Sequence, residues 1–206
     1  LDVSRLSSEA RALDLGCAVG RSSFELASVC KQVVGIDYSH LFIEAAERIR
    51  TLGEVPYWRT DEGDLKTPLV ACRPKDVDLG CVSFEQGDAM ALRHGLGVFD
   101  VVLMANLIDR LREPLKCLER LPSLVAQGGQ LIVTSPYTWL PDYTDRSFWL
   151  GGFSEAGVPQ TTLQGLRHAL DPDFELVGTR DLPFLIREHA RKYQWSVAQA
   201  SIWRRR

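Results

Sequence analysis

The sequence predicts an α/β domain on a doubly wound sheet of seven strands, mostly parallel, with an antiparallel hairpin at its C-terminal end. Three observations carry that expectation. Strand-like apolar runs alternate with runs of helical period over most of the chain, the pattern of βαβ units with helices on both faces of a sheet. A turn rich in small residues, 14–20, follows the first strand-like run. The last runs, 174–177, 184–186 and 196–203, lack a helix between them, so they can join one sheet edge only as antiparallel neighbours.

Taken in order, the first strand is expected at 12–15 and the first helix at 22–30, where Phe24, Leu26, Ala27 and Cys30 fall at helical spacing. A second strand at 33–37 leads to a helix at 39–52, with Ser39 as N-cap and Phe42, Ile43, Ala46 and Ile49 on one apolar stripe. Runs at 55–59 and 68–71 flank a polar 60–66 and suit a small hairpin beside the sheet. Strands follow at 82–86 and 98–105. A helix is expected at 113–125, with Leu115, Leu118, Leu121 and Leu124 on one side, Pro122 distorting its last turn, and Gly128 and Gly129 ending it. A strand at 130–135 and a helix at 162–170 precede the C-terminal strands. Two connections, 53–80 and 137–161, exceed the usual length and are read as insertions in a single domain, 1–206. The second is rich in aromatic residues: Tyr137, Trp139, Tyr143, Phe148, Trp149 and Phe153.

With 206 residues, 45% hydrophobic and 25% charged, the chain can bury one substantial core. A net charge of −3 supplies no general attraction to nucleic acid or anionic lipid, and the terminal Arg204, Arg205 and Arg206 read as a solvated tail. No apolar run approaches the roughly 20 residues of a membrane span, and no signal pattern opens the chain, so a cytoplasmic protein is expected. Five cysteines without a C-x-x-C spacing fit reduced, buried thiols better than a disulfide framework or a zinc site, and no metal is expected. The chain opens on Leu1 and soon enters a strand, which reads as a piece of a longer polypeptide.

The strongest local motif is Asp14-Leu15-Gly16-Cys17-Ala18-Val19-Gly20. Small residues at a strand-to-helix turn let the backbone approach a ligand closely. Asp37 ends the second strand about twenty residues later, where a carboxylate can accept hydrogen bonds from both hydroxyls of a ribose. Gly87-Asp88-Ala89 follows the next sheet strand and is placed to meet an adenine edge. All three lie at carboxyl ends of strands, where open α/β sheets bind ligands. A nicotinamide cofactor on a Rossmann domain fits the same geometry, but the turn lacks the compact G-x-G-x-x-G that holds a pyrophosphate. A purely structural turn is the remaining reading.

Asp14, Gly16, Asp37, Asp88 and Asn106, in this order, resemble the class I S-adenosylmethionine-dependent methyltransferases, and the resemblance covers most of the chain. It implies a Rossmann-like fold with S-adenosyl-L-methionine as cofactor. Asp14 and Gly16 would lie near the methionine moiety, Asp37 would hold the ribose, and Asp88 with Ala89 the adenine. Cys17, Gly20 and Tyr38 join the expected cofactor set as neighbours in these loops. Ala18 departs from the family, standing where many members carry glycine, a small-for-small change expected to leave the pocket open.

Acceptor residues are sought at the mouth of the same pocket. Asn106, after 98–105, is placed to touch the cofactor and orient an acceptor, or merely to cap the strand end. Tyr137 offers a hydroxyl, and Trp139 and Phe148 serve as a lid or as packing. The stretch 183–195 concentrates charge between apolar runs: Arg187 suits a carboxylate clamp and His189 or Tyr193 a contact to a polar ring, with a solvated loop as the plainer alternative.

Residues 182–195, 135–140 and 201–206 are similar to the methyltransferase domain of ovothiol biosynthesis. That resemblance implies methylation of a ring nitrogen of 5-thiohistidine to give ovothiol A, with His189 or Tyr193 able to accept or relay the ring proton. It also implies a place at the C-terminal end of a larger enzyme that carries an iron-dependent sulfoxide synthase module. Methylation of another small metabolite, and a silent cofactor-binding scaffold, are the alternatives.

Overall fold

Strands covered on both faces read as continuous apolar runs, and the first strands of this chain do so. In the computed structural model, which describes residues 1–75 and 77–206 and Leu79 by its backbone alone, they form the middle of one sheet. The elements are β1 (Arg11–Leu15), α1 (Arg21–Leu26), β2 (Gln32–Asp37), α2 (His40–Leu52), β3 (Glu54–Glu62), β4 (Leu65–Cys72), β5 (Val82–Gln86), β6 (Phe99–Ala105), α3 (Pro114–Leu118), β7 (Val125–Ser135), β8 (Phe153–Glu155), β9 (Val158–Gln160), α4 (Thr162–Leu170), β10 (Phe174–His189) and β11 (Lys192–Arg205). The main sheet has seven strands in the order β10-β11-β7-β6-β1-β2-β5. Pairs from β5 to β7 are parallel, and β11 is antiparallel to both β7 and β10. The chain winds outward from β1 in both directions, so the switch point lies between β1 and β6.

Alternate residues feed two apolar layers. Leu13, Leu15, Ile36, Val102, Met104 and Leu131 join Leu118, Leu166 and Trp203 on one face, where α3 and α4 pack. Ala12, Val33 and Val101 meet Phe24 and Leu26 of α1 on the other.

Two helices differ from expectation. In α2, Ser39 Oγ accepts from Phe42 N at 3.3 Å and caps the helix as predicted, but Phe42 itself is 47% exposed and only Ile43 and Ala46 are buried. The expected 113–125 helix stops at Leu118, because Pro122 lacks an N–H and its ring excludes the carbonyl of Leu118; Leu121–Ser123 forms a single 3-10 turn instead. Leu115, inside the helix, is exposed, and Gly128 and Gly129 lie inside β7 rather than ending a helix. By contrast α4 has its predicted bounds, fixed by a capping box between Thr161 and Gln164.

The C-terminal runs form one long ribbon. The first two merge into β10, and the charged stretch, for which a solvated loop is the plainer alternative, is itself paired, with Arg187 opposite Tyr193 and His189 opposite Lys192. Apolar residues alternate along it, Pro183 with Val197 and Leu185 with Trp195 on one face, which suits a two-stranded ladder whatever the intervening charge. Gln199 is opposite Ser135, the last residue of β7, so the ribbon's outer half projects past the sheet's carboxyl edge. There its turn meets the predicted β3–β4 hairpin: Ala190 N donates to Thr60 O, and Arg187 Nη2 to Tyr57 Oη, each at 3.0 Å.

Of the cysteines, Cys17, Cys30 and Cys117 are buried, Cys81 is half-buried, and Cys72 is exposed, contrary to expectation, because alternate residues of β4 face solvent. Among the described residues, no helix is long and apolar enough to cross a membrane.

Candidate active site

The turn after β1 begins where Gly16 N and Cys17 N both donate to Ile36 O, at 2.8 and 3.1 Å, tying the ends of β1 and β2 together. Gly16 has φ +76°, and a Cβ there would stand 3.0 Å from Leu107 Cδ1. Gly20, the N-cap of α1, has φ +87°, and a Cβ there would lie 2.5 Å from the Phe84 ring. Both positions therefore demand glycine for conformation, and Gly20 for space as well. Ala18 lies between them at φ +47°, a left-handed conformation that strains an L-residue. Its departure from glycine is thus a conformational matter rather than one of pocket room.

Asp37 holds this turn. Its Oδ2 accepts from Ala18 N at 2.9 Å and its Oδ1 from Ser39 N at 2.8 Å, which leaves a further acceptor site on each oxygen. Asp88 Oδ1 likewise accepts from Met90 N at 2.9 Å. Beneath the turn Asp14 is fully buried: Oδ2 accepts from Ser23 Oγ at 2.7 Å and Oδ1 has no partner. Burial raises its carboxyl to about 6, against the lowering effect of the Ser23 bond and with a smaller push from the Asp37 charge. Burial also drives the Cys17 thiol up, so it stays protonated.

These loops surround a cavity of about 420 Å³. Of the expected cofactor residues, Gly16, Asp37, Tyr38, Asp88 and Ala89 line it; Asp14, Cys17 and Gly20 support the turn from behind, and Asn106 is outside the lining. Asn106 adopts φ +54° and its Oδ1 accepts from Thr134 Oγ1 at 3.0 Å, an arrangement that braces the end of β6 against β7. The cavity size suits a small-molecule site, Ile36, Met90 and Leu111 give it apolar walls for a base, and Asp37 offers acceptors to ribose hydroxyls. The residues present therefore fit an adenosyl group.

The expected acceptor residues are placed elsewhere. Tyr137 Oη donates to Gln199 Oε1 at 2.9 Å, and burial, aided by the Asp181 charge, pushes the phenol up to about 12. Trp139 is buried, stacks on Trp149 with ring centres 6.2 Å apart, and donates from Nε1 to Thr162 Oγ1 at 2.8 Å, so it packs the insertion rather than forming a lid. Phe148 is exposed and does not line the cavity. Arg187, His189 and Tyr193 sit in the outer ribbon; Arg187 is engaged by Tyr57, and His189 Nδ1 accepts from Arg191 N at 3.2 Å in the ribbon's turn. Contrary to expectation, none of the three lines the cavity, because pairing carries them along the ribbon to β3.

Sequence reasoning missed the wall formed by Leu107, Arg110, Leu111, Arg112, Asp142 and Tyr143. Its signal was the position of Asp109, Arg110 and Arg112 directly after a sheet strand's carboxyl end. Asp109 is fully buried and gathers three groups: Oδ1 accepts from Ser135 Oγ at 3.0 Å, and Oδ2 from Arg110 Nη1 at 2.9 Å and Thr138 N at 3.1 Å.

The fold is shared with known structures of low sequence identity. A Methanosarcina mazei protein described as a SAM-dependent methyltransferase superposes with a TM-score of 0.64 at 19% identity, over 98% of this chain and 95% of that one. YcgJ from Bacillus subtilis gives 0.62 at 13% identity, over 98% and 94%. The N-methyltransferase NodS from Bradyrhizobium japonicum WM9, solved with S-adenosyl-L-homocysteine, gives 0.59 at 16% identity, over 97% and 79%. No curated protein matches the sequence. The family described as "Methyltransferase domain" matches residues 13–131, from the middle of β1 into β7, and so takes in the cavity residues Gly16, Asp37 and Asp88. With more than half of its length so matched, the chain belongs to the methyltransferase-domain family.

Proposed function

We propose that this S-adenosylmethionine-dependent methyltransferase methylates a ring nitrogen of 5-thiohistidine, giving ovothiol A. One observation supports that reading above others: the segment 135–140, distant in sequence from the other two that carry the resemblance, is their neighbour in the fold. Ser135 at the end of β7 is opposite Gln199, Tyr137 donates to that same Gln199, and residues 182–195 and 201–205 lie on the one β10–β11 ribbon.

The chemistry asks little of acid or base. Bound S-adenosylmethionine supplies a methyl carbon made electrophilic by its sulfonium sulfur; transfer forms an N–C bond, breaks the C–S bond with its electron pair left on sulfur, and releases the ring proton to water. The chain's part is to orient and to exclude solvent. Asp37 fixes the adenosyl end, the Gly16 turn permits close approach, and the wall of Leu107, Leu111 and Tyr143 shields the centre. His189 and Tyr193, held in the outer ribbon away from the cavity lining, take no part in proton transfer at its centre. Arg110 and Arg112 on the same wall also suit other small carboxylate-bearing acceptors, which makes such a metabolite the second reading.

The test is mass spectrometry of reactions containing the protein, S-adenosylmethionine and 5-thiohistidine, with histidine and a catechol as parallel acceptors. Selective gain of one methyl by 5-thiohistidine is expected. Methylation of another acceptor alone would overturn the thiohistidine reading and leave the family assignment standing.

A further inference from the structure

We infer that Arg110 binds the carboxylate of the acceptor, an assignment that rests on the reading of the site as one for a small amino acid. The guanidinium is fixed on two sides. Its Nη1 donates to Asp109 Oδ2, Asp109 O and Thr138 O, each at 2.9 Å, and its Cζ lies over the Tyr143 ring, 4.8 Å from the ring centre. Those contacts use one nitrogen and one face. Among the described residues, Nε and Nη2 have no hydrogen-bond partner, and together they are the fork that grips a carboxylate through two parallel bonds.

The anchoring is rigid because Asp109 is itself fully buried and held by Ser135 Oγ and Thr138 N. A cation immobilised before the ligand arrives loses little side-chain entropy on binding it, which is the arrangement that turns a charge into affinity. Arg187, the clamp suggested by the sequence, lacks this setting: it lies outside the cavity with its Nη2 on Tyr57.

Location separates the acceptor's carboxylate from the donor's. The donor side of the cavity is built from loops after β1, β2 and β5, which hold Gly16, Asp37 and Asp88. Arg110 follows β6 and is tied through Asp109, Ser135 and Thr138 to the end of β7, the strand that β11 adjoins. It thus belongs to the half of the site that carries the acceptor segments.

The experiment compares wild type with Arg110→Met and Arg110→Lys, using 5-thiohistidine and its decarboxylated counterpart 5-thiohistamine, with S-adenosylhomocysteine affinity measured by calorimetry. Arg110→Met is expected to lower kcat/KM for 5-thiohistidine about 10- to 100-fold, the range for a lost charge-assisted pair, with thiohistamine turnover and S-adenosylhomocysteine affinity changed less than about threefold. Arg110→Lys keeps a cation beside Asp109 and should retain the fold while recovering part of the selectivity. Equal losses on both acceptors would overturn the assignment in favour of a structural role, and a parallel loss of S-adenosylhomocysteine affinity would move Arg110 to the donor's carboxylate. Selective loss on a different carboxylate-bearing acceptor, with 5-thiohistidine inert in wild type, would remove the thiohistidine reading and sustain Arg110. Turnover by wild type of acceptors without a carboxylate alone would remove both.

Discussion

Asp37→Ala removes a carboxylate that braces the turn after β1 and also faces the cavity, and the two contributions can be measured separately. In the free protein it deletes two acceptors, for Ala18 N at 2.9 Å and Ser39 N at 2.8 Å. At about 1.5 kcal/mol net for each bond to a carboxylate, the low end of the range for charged acceptors, the fold should lose about 3 kcal/mol, read as a lower urea midpoint. If the free lone pairs accept from two ribose hydroxyls, charge-assisted bonds of about 1.5–3 kcal/mol each are also lost, and imperfect geometry brings the sum to about 2–4 kcal/mol. Calorimetric titration with S-adenosylhomocysteine should then show binding weakened roughly 30- to 1000-fold. Asp37→Asn keeps one acceptor oxygen, so it should recover about half of the stability and little of the affinity, because its NH₂ confronts a hydroxyl where a carboxylate oxygen stood. Affinity within about threefold of wild type in both variants would refute the ribose assignment. Affinity that tracks stability across the pair would mean that Asp37 acts only by bracing the turn.

Three further outcomes follow from the geometry. Ala18→Gly relieves a left-handed alanine at φ +47° and should raise unfolding free energy by about 1 kcal/mol; an unchanged or lower urea midpoint would contradict the strain. Asp14, raised from 3.8 to about 6, binds its proton more tightly folded than unfolded, so stability should fall by about 3 kcal/mol as pH rises from about 3 to about 7. Asp14→Asn should flatten that part of the stability profile, and a curve parallel to wild type would place the titration elsewhere. Arg187→Ala breaks the 3.0 Å bond to Tyr57 and should leave the acceptor KM within about threefold of wild type, whereas a tenfold rise would restore Arg187 to the acceptor site.

The parts of this molecule that were legible in the sequence are those set by local chemistry. Apolar runs of strand length, Ser39 as a cap, and a small-residue turn followed by Asp37 each express a preference of neighbouring residues, and they suffice for the seven-stranded sheet and for several residues that line the cavity. The periodic leucines after Pro114 misled because spacing weighs four side chains and overlooks one missing N–H at Pro122. The acceptor half depended on partners distant in sequence. Nothing near Trp139 announces Thr162, nothing near Arg187 announces Tyr57, and Arg110 gains its fixed orientation only when β6 and β7 bring Asp109 against Ser135 and Thr138. By itself, then, the sequence determined the family and the sheet, because these follow from short-range pattern and from where strands end. Tertiary structure alone decided which charged and aromatic side chains reach the cavity, because a side chain's available donors are those left over after the fold has assigned the rest.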